Sequence, residues 1–318
     1  YNSSSGAGQW QSRTCNINVR DLAVESTTTL YVLDALGKVS KSTNAALWWT
    51  AAADSTLTSG NILCGIGAGR LLAGSNDGYI AYSLDGNTTW TKITAAFPGG
   101  GNMHVVADAN FTSNKVIYAA SETAGTDLMK WQIGTSTLWA DIFPGIFSGS
   151  VYGITVDSNT LYALEYDPGT NQSSLWRFIS PLNATATSEG WTEIPSAVGI
   201  QFDNSPQGLK ASTNKLWAIN TNIAITDKLY SHNDSVADIS ITLQSPENNY
   251  TNHINSLTGI ANDIAFVWQR AGLATAYEIR ISMDPDFSND FTSISINSTQ
   301  SIVSVIIGPG QTGVTNYN

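Results

Sequence analysis

The sequence predicts an all-β protein built in two parts, and three observations carry that prediction. Short segments that alternate apolar with polar residues recur along the chain, separated by turn-forming Asn, Asp and Gly, as half-buried strands do. A unit of about four such segments returns every 40 to 50 residues or so, and a tryptophan often opens its last segment. Near residue 236 this spacing stops and longer strand-like segments take over. The expectation is a β-propeller of about five four-stranded blades over residues 1–235, followed by a β-sandwich over residues 236–318 that is incomplete in this chain.

The second strand of each unit is the most regular. TLYVLDALG, RLLAGSNDG, VIYAASETAG, TLYALEYDPG and KLWAINTN are five versions of one strand running into one turn. Their central large residues, Tyr31, Leu72, Tyr118, Tyr162 and Trp217, lie 41, 46, 44 and 55 residues apart. An apolar strand precedes each copy (NVRDLAV, NILCGIG, MHVVADA, VYGITVD, PQGLKAS) and a third follows it (GKVSKS, GYIAYS, LMKWQI, SLWRFI, DKLYSH). Trp49, Trp90, Trp139 and Trp191 then open WTAA, WTKI, WADI and WTEI as fourth strands. A single four-stranded meander cannot bury both faces, so each blade needs neighbours, and the recurring tryptophans are expected to fill the gaps between blades. The fifth unit lacks such a strand; GQWQSRT at the start of the chain, with Trp10, is expected to supply it and close the ring.

SLDGNTTW, Ser83 to Trp90, lies between two such strands and reads as a hairpin corner. Asp85 can accept bonds from the backbone further along the turn, while Gly86 and Asn87 tolerate positive φ. The octapeptide resembles the Asp-box, Ser-x-Asp-x-Gly-x-Thr-Trp, of sialidase-like propellers: Ser83, Asp85, Thr89 and Trp90 match, and Asn87 stands in place of glycine. STNAALWW, Ser42 to Trp49, resembles a decayed copy with Asn44 in the aspartate position. The resemblance implies a structural role on the outer hairpins, away from the central pocket. It does not bring catalysis with it, because the Arg-Ile-Pro signature and arginine clamp of sialidases find no counterpart among Arg13, Arg20, Arg70, Arg177, Arg270 and Arg280.

Paired carboxylates, as inverting glycosidases on related propellers use, have candidates at the turns between second and third strands: Asp34, Asp77, Glu122, Glu165 and Asp167. All five are also ordinary turn residues. His104, His232 and His253 are scattered, and no HExxH, paired-cysteine or nucleophile-elbow pattern occurs. No catalytic residue, cofactor or metal is therefore expected. Cys15 and Cys64 allow one disulfide at most, and their pairing is open.

Charged residues make up 12% and the formal net charge is −11, with no Lys/Arg cluster to follow a phosphate backbone, so nucleic acid is excluded as a partner. No apolar run reaches the length of a membrane span. Asn-x-Ser/Thr sequons stand at Asn2, Asn87, Asn110, Asn171, Asn183, Asn233, Asn249 and Asn297 and mark possible N-glycosylation. About six would arise by chance in a chain this rich in Asn, Ser and Thr.

Beyond residue 236, DISITLQSP, DIAFVWQR, ATAYEIRISMDPDF, FTSISINS and QSIVSVIIG read as longer strands; Tyr277, Ile279 and Ile281 alternate with polar neighbours, and Trp268 is the expected core tryptophan. The Ser-Pro turn, this tryptophan and the tyrosine-bearing third strand resemble the front part of a fibronectin type III domain, an immunoglobulin-like sandwich. Low charge, hydroxyl-rich strands and modular architecture lead to the expected function: a non-enzymatic extracellular or cell-surface structural or adhesion protein, such as a surface-layer or filament subunit, whose partners are its own copies or other envelope proteins. The alternative is a carbohydrate-active enzyme or lectin that takes glycans in the central funnel.

Overall fold

The computed structural model describes residues 11–123, 128–143, 145, 149–170, 172–187, 190–194, 206–212, 215–220, 228–234, 243–247, 250–253, 255–259, 262–269, 276–282, 291–297, 302–307 and 315–316. Among these the only helical pieces are α1 (Phe111–Asn114) and a 3-10 turn at Pro181–Asn183. The chain divides into two compact units, Tyr1–Asn233 and Asp234–Asn318.

In the first unit, sheets form in chain order as antiparallel meanders. The first holds β1 (Val19–Val24), β2 (Leu30–Asp34), β3 (Lys38–Ser42) and β4 (Ala53–Asp54). The second holds β5 (Ile62–Gly67), β6 (Arg70–Gly74), β7 (Ile80–Ser83) and β8 (Thr91–Lys92). The third holds β9 (Met103–Ala107), β10 (Val116–Ser121), β11 (Met129–Gln132) and β12 (Ala140–Asp141). The fourth holds β13 (Ser150–Asp157), β14 (Thr160–Asp167), β15 (Gln172–Ile179) and β16 (Trp191–Ile194). The fifth has three described strands, β17 (Pro206–Ser212), β18 (Lys215–Asn220) and β19 (Lys228–Asn233). β1 packs on β5, β5 on β9, β9 on β13 and β13 on β17. The first strand of every sheet is thus the inner one, and the sheets follow one another as the blades of a β-propeller.

The cores lie between blades. One cluster joins Tyr31 and Leu33 of the first to Leu63 and Leu71 of the second; the next joins Leu72 and Ile80 to Met103 and Ile117; a third joins Tyr118 and Leu128 to Ile154 and Leu161. Second strands of the first four blades are covered on both faces, which is why they read as the most apolar segments: Tyr31, Tyr118 and Tyr162 at their centres are completely buried. Each such side chain contributes about 1.5–3 kcal/mol by leaving water. The buried phenols of Tyr31 and Tyr118 donate to Glu25 Oε2 at 2.7 Å and to Asp108 Oδ2 at 2.6 Å.

The tryptophans wedge successive blades together. Trp139 stacks edge-on to Phe97 of the preceding blade, 5.4 Å between centroids, and its Nε1 donates to Ala95 O at 3.0 Å. Trp191 meets Phe143 of the preceding blade at 5.7 Å and donates to Ile142 O at 3.1 Å. Trp90 is buried in the cluster shared by the first two blades. Trp49 is half-buried and its Nε1, though buried, has no acceptor. Trp10 lies outside the described residues, and so does the expected closure by the N-terminal strand.

The octapeptide closes the hairpin between β7 and β8. Asp85 Oδ1 accepts from Ser83 Oγ, Thr88 N and Thr89 N at 2.9, 3.1 and 2.9 Å, and Oδ2 accepts from Thr89 Oγ1 at 2.6 Å. Gly86 and Asn87 both take φ +77°, the left-handed region that favours these residue types. STNAALWW repeats the pattern: Ala46 N donates to Ser42 Oγ at 3.0 Å and Trp48 N to Asn44 Oδ1 at 3.1 Å.

In the first blade, however, the fourth strand does not open at Trp49 but begins at Ala53, with Val39 paired to Ala53. Thr50 explains the delay. Thr50 N still donates to Lys41 O at 2.8 Å, but Lys41 N turns to the Thr50 hydroxyl at 3.2 Å and the Thr50 carbonyl accepts from Asn16 Nδ2 at 2.8 Å, so the return bond is lost and regular pairing resumes only at Ala53.

The second unit contains two sheets among its described residues: β20 (Leu243–Ser245), β21 (Ile264–Gln269), β24 (Ile302–Ile307) and β25 (Thr315–Asn316) in one, β22 (Ala276–Ser282) and β23 (Phe291–Asn297) in the other. Trp268, Val303 and Val305 from the first share a core with Tyr277 and Ile296 from the second; the Trp268 and Tyr277 rings meet edge-on at 5.3 Å.

Candidate binding site in the central channel

All five inner strands converge on one cavity of about 740 Å³, to which β1 gives Val24, β5 Ile66, β9 Ala107, β13 Val156 and β17 Lys210. Leu22, Ala23 and Val24 all border it; alternate residues of a strand face opposite ways, so Ala23 is buried in the core between the first two blades while Leu22 and Val24 are 51% and 61% exposed. Cys64 also lines it, and burial pushes its thiol up, with smaller opposing effects from Lys210 and the Ala107 backbone. Cys15 and Cys64 are both free thiols.

Toward the starting ends of the inner strands lies a polar cluster. Glu122, just after β10, accepts from Asn102 Nδ2 at 2.7 Å and pairs with His104 Nε2 at 2.9 Å. Burial raises the Glu122 carboxyl, but the His104 and Asn102 hydrogen bonds, with the charges of His104 and Arg20, outweigh it and hold the group below its ordinary range. Tyr152 is shifted up by burial and then by the Glu122 charge, and its ring meets Tyr166 edge-on at 5.5 Å. Arg20 donates to Asn61 Oδ1 at 3.2 Å, and Asn61 Nδ2 to Met103 O at 3.2 Å. Four blades thus contribute polar groups to this end.

The carboxylates proposed from sequence fall into two groups. Asp34 accepts from Leu36 N and Lys38 N at 2.9 and 2.8 Å, and Asp167 from Gly169 N and Thr170 Oγ1, both at 2.8 Å; these two hold their own turns. Asp77 accepts from Thr58 Oγ1 at 2.6 Å. Glu165 is buried, with Oε1 accepting from Gly149 N at 2.7 Å and Oε2 from Trp176 Nε1 at 3.0 Å. Sequence reasoning missed Lys210, Cys64 and the His104–Glu122 pair; the rule that alternate residues of each first strand face the channel would have found the first two.

Among the sequons, Asn110, Asn183, Asn233 and Asn297 are exposed, whereas Asn2, Asn171 and Asn249 lie outside the described residues. Asn87 departs from the expectation of a glycan site. It is buried, its Nδ2 donates to Val39 O at 2.9 Å and its Oδ1 accepts from Trp90 Nε1 at 2.7 Å, so this sequon serves the hairpin.

No family model and no curated protein matches the sequence. Solved structures that resemble the fold include a GH74 xyloglucanase from Xanthomonas campestris, 21% identical over 68% of this chain with a TM-score of 0.48. The chain spans 37% of that enzyme's length. YCF48 from Cyanidioschyzon merolae is 11% identical, covering 67% of this chain and 70% of its own, with a TM-score of 0.43. The WD40 repeats of RRP9 are 12% identical, with coverages of 63% and 59% and a TM-score of 0.43.

Proposed function

We propose that the chain belongs to a non-enzymatic extracellular structural or adhesion protein, of the surface-layer or filament kind, which assembles with its own copies or with other envelope proteins. The observation that carries this reading is the state of the acidic groups at the turns between second and third strands. Asp34, Glu122, Glu165 and Asp167 are occupied as acceptors within the fold, and where the carboxyls shift, at Asp77, Glu122 and Asp167, they shift down. Glycoside cleavage needs a carboxyl held protonated to donate to the leaving group, and Asp77, Glu122 and Asp167 are arranged to stay ionised. On this reading the octapeptide is an Asp-box, serving as a hairpin staple, and the second unit is a fibronectin type III-like sandwich. The latter is supported by the division of β20, β21 and β24 from β22, as strands A, B and E are divided from C in immunoglobulin-type domains. Light scattering and negative-stain microscopy of the full chain, with fractionation of the producing cells, test it. Ordered assemblies and recovery in the envelope fraction are expected; a particle that stays monomeric at high concentration and is absent from the envelope overturns it.

A second reading is favoured by one observation, the meeting of Arg20, Asn61, Asn102, Glu122 and the Tyr152 ring at the starting ends of the inner strands. Planar polar groups beside an aromatic ring suit a saccharide. Binding on a glycan array that is lost in both Glu122→Gln and Tyr152→Ala, with or without hydrolysis of the bound glycan, would replace the first reading with a lectin or carbohydrate-active enzyme.

A further inference from the structure

We propose that the central cavity binds a small organic anion with an apolar body, an aliphatic carboxylate being the simplest member of the class. Its volume, about 740 Å³, falls within the range of small-molecule sites. Much of its wall is apolar: Leu22, Val24, Ile66, Val106, Phe111 and Val156 all line it. Leu22 and Val24 keep half or more of their surface exposed there, apolar area that an occupant would remove from water.

The charges in the wall set the sign of the ligand. Two charged side chains are among the lining residues, Asp108 and Lys210. The Asp108 carboxyl is taken up within its own loop. Its Oδ1 accepts from Asn110 N at 2.8 Å and Asn114 Nδ2 at 2.6 Å, and its Oδ2 from the Tyr118 hydroxyl at 2.6 Å. Lys210 makes no ion pair with a described residue; of the groups near Cys64, burial raises the thiol itself, and Asp21, whose charge also reaches it, has its Oδ2 taken by Leu63 N at 2.6 Å. The cavity therefore offers one ammonium outside any ion pair with a described residue, beside an aliphatic wall and a carboxylate whose oxygens are already taken. Thr155 and Ser158, which also line it, add hydroxyl donors for a carboxylate. Neither the assembly reading nor the saccharide reading predicts this chemistry, and the proposal stands apart from both.

Calorimetric titration of the full chain with sodium octanoate, octan-1-ol and octylammonium separates the contributions of tail and charge. Octanoate is expected to bind one to one, about ten-fold or more tighter than octanol, with octylammonium weakest. In Lys210→Gln the preference for octanoate over octanol should vanish; the side chain is exposed, and an unchanged melting curve verifies the fold. Val24→Trp should weaken both ligands by filling the cavity. A second readout uses the two free thiols: octanoate should slow methanethiosulfonate labelling of Cys64 and leave Cys15 unaffected. Equal binding of octanoate and octanol, a preference that survives Lys210→Gln, or Cys64 labelling untouched at saturating octanoate each overturns the proposal.

Discussion

Trp90 donates its indole N–H to the Asn87 side chain at 2.7 Å, and the equivalent tryptophan of the first blade, Trp49, has Ala46 where Asn87 would be. The two hairpins share part of their bonding. Ala46 N reaches Ser42 Oγ as Asn87 N reaches Ser83 Oγ, and both residues have positive φ, +64° and +77°. What Ala46 cannot supply is an acceptor, so Trp49 Nε1 is buried without one. Ala46→Asn should restore it and also place a residue tolerant of left-handed backbone there. A gain of about 1 kcal/mol is expected, seen as a rise of about 2–4 °C in the melting temperature of the first unit. An unchanged or lower value would mean that the indole is already satisfied or that the site cannot admit the amide.

The reverse substitution in the second blade should be costly. Asn87→Ala strands Trp90 Nε1 and takes a donor from Val39 O, and a loss of about 1–3 kcal/mol is expected. Because Val39 belongs to the first blade, the loss should appear as weakened docking of two blades. Hydrogen exchange of β3 amides, faster than in the unaltered chain, checks this.

The Thr89 hydroxyl and amide, with the Ser83 hydroxyl and Thr88 amide, hold the Asp85 carboxyl down to about 2 from an ordinary value of 3.8. A group depressed in the folded state stabilises fully above its unfolded value and loses that contribution as pH falls through the folded one. The stability advantage of the unaltered chain over Asp85→Asn should therefore be constant above about pH 5 and shrink between about pH 4 and 2. Urea midpoints across that range measure it. An advantage independent of pH would show that the hydrogen bonds do not discriminate between the ionised and neutral forms.

How much of this was legible in the sequence depends on the range of the interaction. The second strands were legible because burial on both faces leaves a local apolar signature, as in VIYAAS of β10, and the octapeptide because its bonds span four residues. The fourth strand of the first blade was misplaced because the Thr50 carbonyl, which would return a bond to Lys41, is taken by Asn16, a contact over 34 residues. The cavity was invisible for the same reason. Val24 and Lys210 look like ordinary strand residues, and only the convergence of the inner strands brings them to one cavity.

Asp108 holds together the loop between β9 and β10 by accepting from Asn110, Asn114 and Tyr118. Asp108→Ala should cost about 3 kcal/mol or more, since the completely buried Tyr118 loses its hydroxyl partner. Pairing it with Tyr118→Phe tests the cause: in the double variant the combined loss should fall short of the sum of the single losses. Strict additivity in chemical denaturation would place the cost elsewhere.

Sequon occupancy separates the part that asparagine plays in the fold from the part it plays at the surface. Asn110, Asn183, Asn233 and Asn297 expose their side chains, while the Asn87 nitrogen that would carry a sugar donates to Val39 O inside the molecule. A glycan at Asn87 would have to break that bond, release Trp90 Nε1 and pull the hairpin off the first blade, at a cost comparable with that of Asn87→Ala. In a host that glycosylates this sequon type, enzymatic deglycosylation in heavy water followed by peptide mass analysis should mark exposed asparagines and leave Asn87 unlabelled. Label at Asn87 in folded protein would mean that attachment precedes folding and that the hairpin closes without its asparagine, which would also undo the stabilisation expected from Ala46→Asn.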